Sequence, residues 1–491
     1  MDHPSSSEIF DSNARRALGD PQLRGALRHL ASVFGERRGV AITTVGDWEG
    51  LRERARAIKD ETLTHLDTYL EAFADNAERA GAHVHWAADG AEACAIVIRL
   101  LRERRAARVV KSKSMATEEI HLNAALEAEG LTPVETDLGE WIIQLACETP
   151  SHIVVPAIHK TKQQIAELFS EKLGILPTDD VAVLTATARR ILRERFAEAE
   201  VVISGVNFGV AETGTILILE NEGNVRLTTS VPRTHIALMG IEKVIPHFTD
   251  LDVFLKLLPR SGTGQRLTTY QSLVTGTKKR PEDEGPEEVH IVLMDNGRSR
   301  MLEHPVTRQS LACIRCGACL NACPVYQQIG GHAYGSVYPG PIGAVITPQL
   351  IGIGRAAQLP YASSLCGACR EVCPVKIDIP ELLLHLRAEV VQGTASGTAT
   401  ERGPVKRKRA EQLVFRLYAF AWSRPALYAW GARIARLLQR PAVRDGRIGK
   451  VGGIVARLVP PLAAWTAWRD APPVAPRSFR EQWRDTESGK K

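Results

Sequence analysis

At 491 residues the chain is too long for one ordinary core, so two to four domains are expected. A hydrophobic content of 44% with 24% charged residues is that of a globular protein, and the lack of any run of roughly 18 apolar residues argues against a spanning helix. The net charge of +6 is unevenly placed: from residue 401 onward 20 Lys and Arg face 7 Asp and Glu, which leaves residues 1–400 with a net charge of −7 and points to an anionic partner, protein or lipid, for the tail.

The first residues, Met-Asp-His-Pro-Ser-Ser-Ser, have neither the basic flank nor the apolar core of a secretory signal, so cytoplasmic residence is expected. Up to about residue 75 the pattern is helical: Asp47 can cap a helix carrying Leu51, Ala55, Ile58, Leu63, Leu66 and Leu70 at helical spacing. From 76 to 300 short apolar runs alternate with helical stretches. Candidate strands are 83–87, 108–111, 134–136, 201–204, 215–219, 235–239, 243–245 and 290–294, and helices 117–129 and 162–173 lie between them. Such alternation predicts an α/β domain with a largely parallel sheet, whose strand-end loops are the usual ligand sites.

Three of those loops are polar: Lys111–Met115, Asn207–Thr215 and Asn221–Asn224. Their hydroxyls, glycine-freed N–H groups and Lys113, with Glu212, Thr213, Asn221 and Glu222, could receive a carboxylate or phosphate, although ordinary turns and helix caps use the same residues. Neither a dinucleotide fingerprint nor a P-loop is present. Glu140 and Gln144, one helical turn apart, could line the same cleft. His152 and His159 flank Ile153–Ile158 and are read as structural.

The segment 301–400 holds seven of the nine cysteines, and Cys94 and Cys147 are read as small buried apolar residues. Cys313-Ile-Arg-Cys316-Gly-Ala-Cys319-Leu-Asn-Ala-Cys323-Pro324 is the run by which bacterial ferredoxins hold a [4Fe–4S] cube. Cys366-Gly-Ala-Cys369-Arg-Glu-Val-Cys373-Pro374 is the same run without its first cysteine. Zinc sites use pairs of C-x2-C, whereas these are triplets followed by proline.

Three closely spaced thiolates converge on one cube while the fourth serves the other cube. Cluster one is thus expected on Cys313, Cys316, Cys319 and Cys373, and cluster two on Cys323, Cys366 and Cys369. The eighth position is Ser363. Its place could be taken by the serine oxygen, a water, a substrate atom or a partner's residue, or the cluster could be [3Fe–4S]. The 42 residues between Cys323 and Cys366 favour a helical ferredoxin domain with a long insertion, with helices at 350–357 and 379–391.

Residues 397–410 read as a linker. Beyond it, 413–422, 426–438 and 454–468 are apolar and aromatic with interspersed arginines, which suits helices lying on a membrane surface, on a partner or on the protein itself. Arg416, Arg457 and Pro460-Pro461 exclude spanning.

The two cysteine runs, Tyr338-Pro-Gly-Pro-Ile-Gly, Ser363-Ser-Leu-Cys366 and Cys373-Pro-Val-Lys-Ile-Asp-Ile resemble the lactate utilisation protein B family, and the three polar loops resemble the α/β domain named for lactate utilisation. The resemblance extends over nearly the whole chain and implies an open sheet like that of the glucosamine-6-phosphate isomerase and CoA-transferase group. It further implies an iron–sulfur electron-transfer subunit of a cytoplasmic complex oxidising L-lactate to pyruvate, with a cysteine-rich iron–sulfur protein and a second α/β-domain protein as partners and an unidentified electron acceptor. The seven-cysteine pattern is the family's own. In a rival reading the chain is itself a hydroxy-acid oxidoreductase whose α/β loops bind substrate. A redox sensor binding nucleic acid through its tail is disfavoured, since no recognition helix is evident. The expected layout is a helical region 1–75, an α/β domain 76–300, a ferredoxin domain 301–400 and a basic helical region 401–491.

Overall fold

The computed structural model describes residues 6–393, 409–458, 460–467 and 469–488. The chain forms two compact units, Met1–Lys406 and Arg407–Lys491. Four helices open the first unit: Ser6–Leu18, Pro21–Ile42, Trp48–Thr64 and Leu66–Arg79. Asp20 and Asp47 each cap the helix that follows, their carboxylates accepting from Leu23 N and Gly50 N.

Ten strands follow in chain order: β1 His83–Ala87, β2 Val109–Lys111, β3 Val134–Glu135, β4 Val201–Gly205, β5 Phe208–Val210, β6 Thr215–Glu220, β7 Thr234–Gly240, β8 Val244–Ile245, β9 Tyr270–Val274 and β10 Glu288–Met294. Six of them make a wholly parallel sheet in the order β1-β10-β7-β4-β2-β3. Its central strand β7 is buried at every position, as a strand covered on both faces must be. One face packs on the helices Gly90–Glu103 and Leu122–Ala128 through Val97, Leu101, Leu126, Ile203 and Ile236. The other meets the helix Leu66–Arg79 through Leu70, Phe73, Met239 and Leu293.

The expected strands are all present, but β5 and β9 are additional. With β6 and β8 they form a second, mixed sheet in the order β8-β5-β6-β9. The expected helix 117–129 is two helices, Met115–Glu119 and Leu122–Ala128, parted where His121 takes a left-handed φ of 53°.

In the ferredoxin segment the expected helix 350–357 is displaced. The helix there is Gly340–Ile351, started by Pro341 in its first turn and ended at Gly352 with φ 96°. The helix after the second cysteine run, Ile379–Gln392, falls where expected.

The N-terminal helices, the second sheet and the cysteine segment share one hydrophobic core, with Leu27, Leu51, Phe208, Leu217, Phe254, Leu320, Tyr326 and Leu382 among its buried members. The regions expected as 1–75, 76–300 and 301–400 therefore lie in one compact unit. Polar contacts tie the same parts together. Arg52 donates through Nε and Nη2 to Cys373 O at 3.0 and 2.8 Å, and Lys376 pairs with Glu49 and Glu53 at 2.6 and 3.2 Å.

Residues 397–408 of the expected linker lie outside the described residues; its last two begin the helix Arg409–Trp422. The second unit adds the helix Pro425–Gln439, a two-stranded ribbon Val443–Arg444 and Arg447–Ile448, and the helices Gly453–Leu458, Pro460–Thr466 and Phe479–Ser488. Over the expected stretch 454–468 the described residues are helical at Gly453–Leu458 and at Pro460–Thr466. Among the described residues no helix is long and apolar enough to cross a membrane.

Buried charge joins the parallel sheet to the ferredoxin segment. Arg298 reaches both oxygens of Glu119 at 2.9 Å and Glu242 Oε2 at 2.5 Å, and Tyr338 donates to Glu119 at 2.6 Å. Burial alone would raise the Glu242 pKa; Arg298, Lys243 and Arg315 outweigh it and bring it to about 2, against an ordinary 4.5. Glu119 is lowered in the same way, burial being opposed chiefly by Arg298. A carboxylate whose folded pKa lies below its unfolded one contributes stability that is full above the unfolded value and is lost as pH falls through the folded one. The urea midpoint is therefore expected to hold between pH 7 and 5 as far as these groups govern it, to drop as pH falls from about 4.5 toward 2, and to drop less steeply in Glu119→Gln. A second expectation concerns the β5–β6 turn. Gly214 has φ 65°, and a Cβ there would lie 2.2 Å from Ala77 N in the helix Leu66–Arg79. Gly214→Ala should cost about 1–3 kcal/mol, seen as a lower urea midpoint.

Candidate functional site

The two cysteine runs fold alike. In the first, Arg315 and Gly317 on either side of Cys316 have φ of 60° and 79°, and the helix Ala318–Ala322 follows. In the second, Leu365 and Gly367 on either side of Cys366 have φ of 55° and 87°, and the helix Ala368–Val372 follows. Left-handed φ values turn the loop tightly enough for its thiols to converge; glycine adopts them freely, whereas Arg315 and Leu365 do so at a cost. The correspondence extends one residue further back. Arg315 N–H donates to Cys313 Sγ at 3.4 Å, and Leu365 N–H donates to Ser363 Oγ at 3.1 Å. Ser363 thus occupies in the second loop the place that Cys313 occupies in the first. The neighbouring Ser364 hydroxyl instead bonds Cys366.

Cys313, Cys316, Cys319 and Cys373 line one small void, with Arg315 and a mainly apolar wall that includes Ile153, Ile342, Val375 and Ile377. Ile377 N–H donates to Cys373 Sγ at 3.4 Å. Four convergent thiols with N–H groups aimed at sulfur, in an apolar shell, fit a soft, thiolate-held metal centre. Cys323, Cys366 and Cys369 make a second group: Cys366 is exposed, the other two buried, and Tyr326 N–H donates to Cys323 Sγ at 3.5 Å. Burial pushes the bare Cys373 thiol up to about 11 and Cys369 up to about 12, so a bound cation has to draw off those protons. Cys94 is buried as expected, whereas Cys147 is exposed.

A cavity of about 280 Å³ lies between the strand ends of the α/β sheets and the first cysteine loop. Its lining includes Lys113, Asn221, Glu222, Lys243, Arg315 and Cys316. Of the residues singled out in the polar loops, Lys113, Asn221 and Glu222 are brought together here, and Glu212 and Thr213 are not. The β5–β6 hairpin explains the separation. Its tight turn, which carries Glu212 and Thr213, lies at one end of β6 and Asn221 at the other, about 20 Å away for a six-residue strand. Glu212 instead accepts from Phe248 N at 2.8 Å, and the Thr213 hydroxyl bonds Thr215 at 2.7 Å.

Around the cavity, Lys113 Nζ lies 3.6 Å from Glu140, whose pKa burial raises to about 8. Burial, helped by Asp137, raises that of Glu222 to about 7, and Glu222 accepts from Leu138 N at 3.0 Å. A carboxyl poised there can hold or release a proton near neutrality. Asn221 Oδ1 accepts from Thr269 N at 3.0 Å and so braces the loop before β9. Gln144 is spent on the β3 backbone, donating to Pro133 O at 2.7 Å and accepting from Glu135 N at 3.0 Å.

Lys243 and Arg315 were not singled out as site residues in the sequence; Lys243 reads there only as the start of a strand, and Arg315 as a spacer between cysteines. His152 is structural. Its Nδ1 accepts from Val154 N and Val155 N, which leaves Nε2–H for Asn321 Oδ1 at 3.1 Å. His159 pairs with Glu148 at 2.7 Å. Outside the cysteines, His304, His385 and Glu389 bring ligand atoms within 4.8 Å of one another. His304 Nδ1 accepts from Val306 N and Thr307 N, which puts the proton on Nε2, and His385 is engaged by Glu389 at 3.2 Å. The His304 and His385 rings meet at 4.7 Å and so brace the start of the ferredoxin segment against its last helix.

Three family models match: the LUD domain over residues 70–294, the 4Fe-4S dicluster domain over 309–377, and the C-terminal region of lactate utilisation protein B over 385–488. Lactate utilization protein B of Bacillus velezensis is 42% identical over 482 residues, 98% of both chains. That of Bacillus pumilus is 43% identical over 97% of both, and that of Shouchella clausii 42% over 97% of this chain and 96% of its own. The cysteine geometry and these matches agree that iron–sulfur clusters are what the ferredoxin segment carries, and the chain belongs to the lactate utilisation protein B family.

Proposed function

We propose that the chain is an iron–sulfur electron-transfer subunit of a complex that oxidises L-lactate to pyruvate. Cluster one would be held by Cys313, Cys316, Cys319 and Cys373, and cluster two by Cys323, Cys366 and Cys369 with Ser363 Oγ as fourth ligand. The observation that carries this reading is the single void shared by three cysteines of the first run and the last cysteine of the second. For cluster two, support comes from the identical turn and N–H contact at Cys313 and Ser363.

When bound, such clusters supply one-electron steps. Lactate gives up two electrons and two protons on becoming pyruvate, so a pair of one-electron centres matches the count, with the final acceptor outside this chain. The protein's own part is to hold the inner site dry, through Ile153, Ile342 and Val375, and to leave the outer one reachable at Cys366. A cysteine-rich iron–sulfur protein and a second α/β-domain protein would be the other subunits. The basic second unit, with Leu413, Phe415, Trp422 and Trp430 exposed, suits peripheral contact with an anionic surface.

A second reading is favoured by the cavity, because Cys316 lines both it and the inner cluster void. In that reading the hydroxy acid binds to this chain itself, beside cluster one.

Anaerobic reconstitution should load about eight irons per chain, with reducible clusters seen by EPR. Cys373→Ala should abolish cluster one although it lies in the second run, and Cys323→Ala should abolish cluster two. Ser363→Ala should leave cluster one intact and convert cluster two toward a three-iron form. A zinc-loaded, colourless protein that still restored lactate oxidation would overturn the proposal, and loss of the same cluster in Cys373→Ala and Cys366→Ala would overturn the crossed arrangement.

A further inference from the structure

Six charged side chains crowd the wall between the cavity and the cluster-one loop: Lys59, Lys243, Arg298 and Arg315 against Glu119 and Glu242. Most of the cationic donors are committed. Lys59 Nζ donates to Glu242 O at 2.5 Å, and Arg298 is saturated by Glu119, Glu242 and Asp295 O. Two are not. Arg315, with its side chain 9% exposed, is held by a long contact to Glu242 at 3.7 Å and by the face of Tyr338 at 4.5 Å, and its Nη1 is buried without a hydrogen-bond partner. Lys243 feels Glu242 only through space; its ammonium makes no hydrogen bond or ion pair among the described residues. Both of these side chains line the cavity. A buried cation with unfilled donors is costly unless something supplies acceptors, and the cavity is where an acceptor can come from.

Resting on the second reading above, we infer that Lys243 and Arg315 form the anion-receiving end of the cavity and bind the carboxylate of a small 2-hydroxy or 2-oxo acid beside the cluster-one loop. The fork of Arg315 matches a carboxylate, and Lys243 adds a point charge from the strand side. The rest of the lining suits the remainder of such a ligand. Asn207 and Glu222 lie in the lining to meet a hydroxyl or carbonyl, Asn221 being spent on Gln265 and Thr269, and Val154, Ile218 and Leu258 cover an alkyl group. A neutral molecule of the same shape would leave both cations unpaired, so the site selects for charge first. It also admits ligands longer than lactate, since about 280 Å³ exceeds what three carbons need.

The competing use of this charge is to neutralise the cluster itself, because the Cys313 thiolate acts on both Lys243 and Arg315. Calorimetry and EPR on the anaerobically reconstituted full chain separate the two. L-lactate and pyruvate should bind at one site per chain and alter the EPR spectrum of cluster one, whereas the neutral amide of lactic acid should do neither. Lys243→Gln should weaken lactate at least tenfold, Lys243→Arg should restore most of the affinity, and Glu212→Gln, at the far end of the hairpin, should leave it unchanged. Unaltered affinity in Lys243→Gln would overturn the inference, whether or not the potential of cluster one moved. If the unmutated chain were still reduced by lactate in that case, the second reading would stand without it. A chain that neither bound the carboxylates nor was reduced by lactate would lose both.

Discussion

The structure depends on the return of Cys373 to the loop that begins at Cys313. The 59 residues from Ile314 to Val372 separate them, yet both line one void with Cys316 and Cys319. Everything between is thereby closed into a loop whose ends have to meet. The protein reinforces that closure with contacts that owe nothing to metal: Arg52 grips the Cys373 carbonyl, Lys376 is held by Glu49 and Glu53, and His304 meets His385. The N-terminal helices are thus part of the metal-binding architecture.

The same closure explains why the α/β domain and the ferredoxin segment are not beads on a string. Glu242 lies directly after β7, and its carboxylate meets Arg298, which follows β10, and Arg315 from the cysteine loop. One buried carboxylate is therefore shared by two sheet ends and a cluster loop. Removing a partner from such a network leaves an uncompensated charge in a dry setting, a larger penalty than the pair's own attraction would suggest. The cavity at the sheet ends and the void of the first cysteine loop consequently share a wall.

Much of this was legible beforehand, and the limits are physical. Cysteine ligation leaves a signature in spacing, because three thiols can converge only from a tight loop, and the void follows it. Parallel strands buried on both faces leave apolar runs, so β4, β7 and β10 stood out. By contrast β5 is three residues long and contains Gly209, and β9 is exposed along most of its length, so neither carries a strong periodic signal. Glu212 and Thr213 looked like site residues because they are close in sequence to Asn221; a hairpin carried them to its other end. Lys243 and Arg315 could not be found by motif, because what marks them is donors left unfilled among the described residues, a property of three-dimensional surroundings. Ser363 could be flagged by counting ligands, but only the matched φ angles at Arg315 and Leu365 put its hydroxyl in the place of a thiol.

That match also exposes an asymmetry between two loops of the same backbone. In the inner loop Cys316 is buried and faces the cavity; in the outer loop Cys366 is exposed and its hydrogen bonds come from Ala368 N–H and the Ser364 hydroxyl. Cys319 and Cys369 act on each other electrostatically across the gap between them, so the two sites are neighbours. On the proposed reading this arrangement has a direction built into it. A small molecule would approach the inner site through the cavity, while a protein partner would approach the outer one across the surface around Cys366. An oxygen ligand at the outer site in place of a thiolate is the harder donor, and it falls where solvent already penetrates, so its cost in binding iron is least there. On that reading the chain would separate the place where a substrate is recognised from the place where electrons leave, using one folded motif twice with different surroundings.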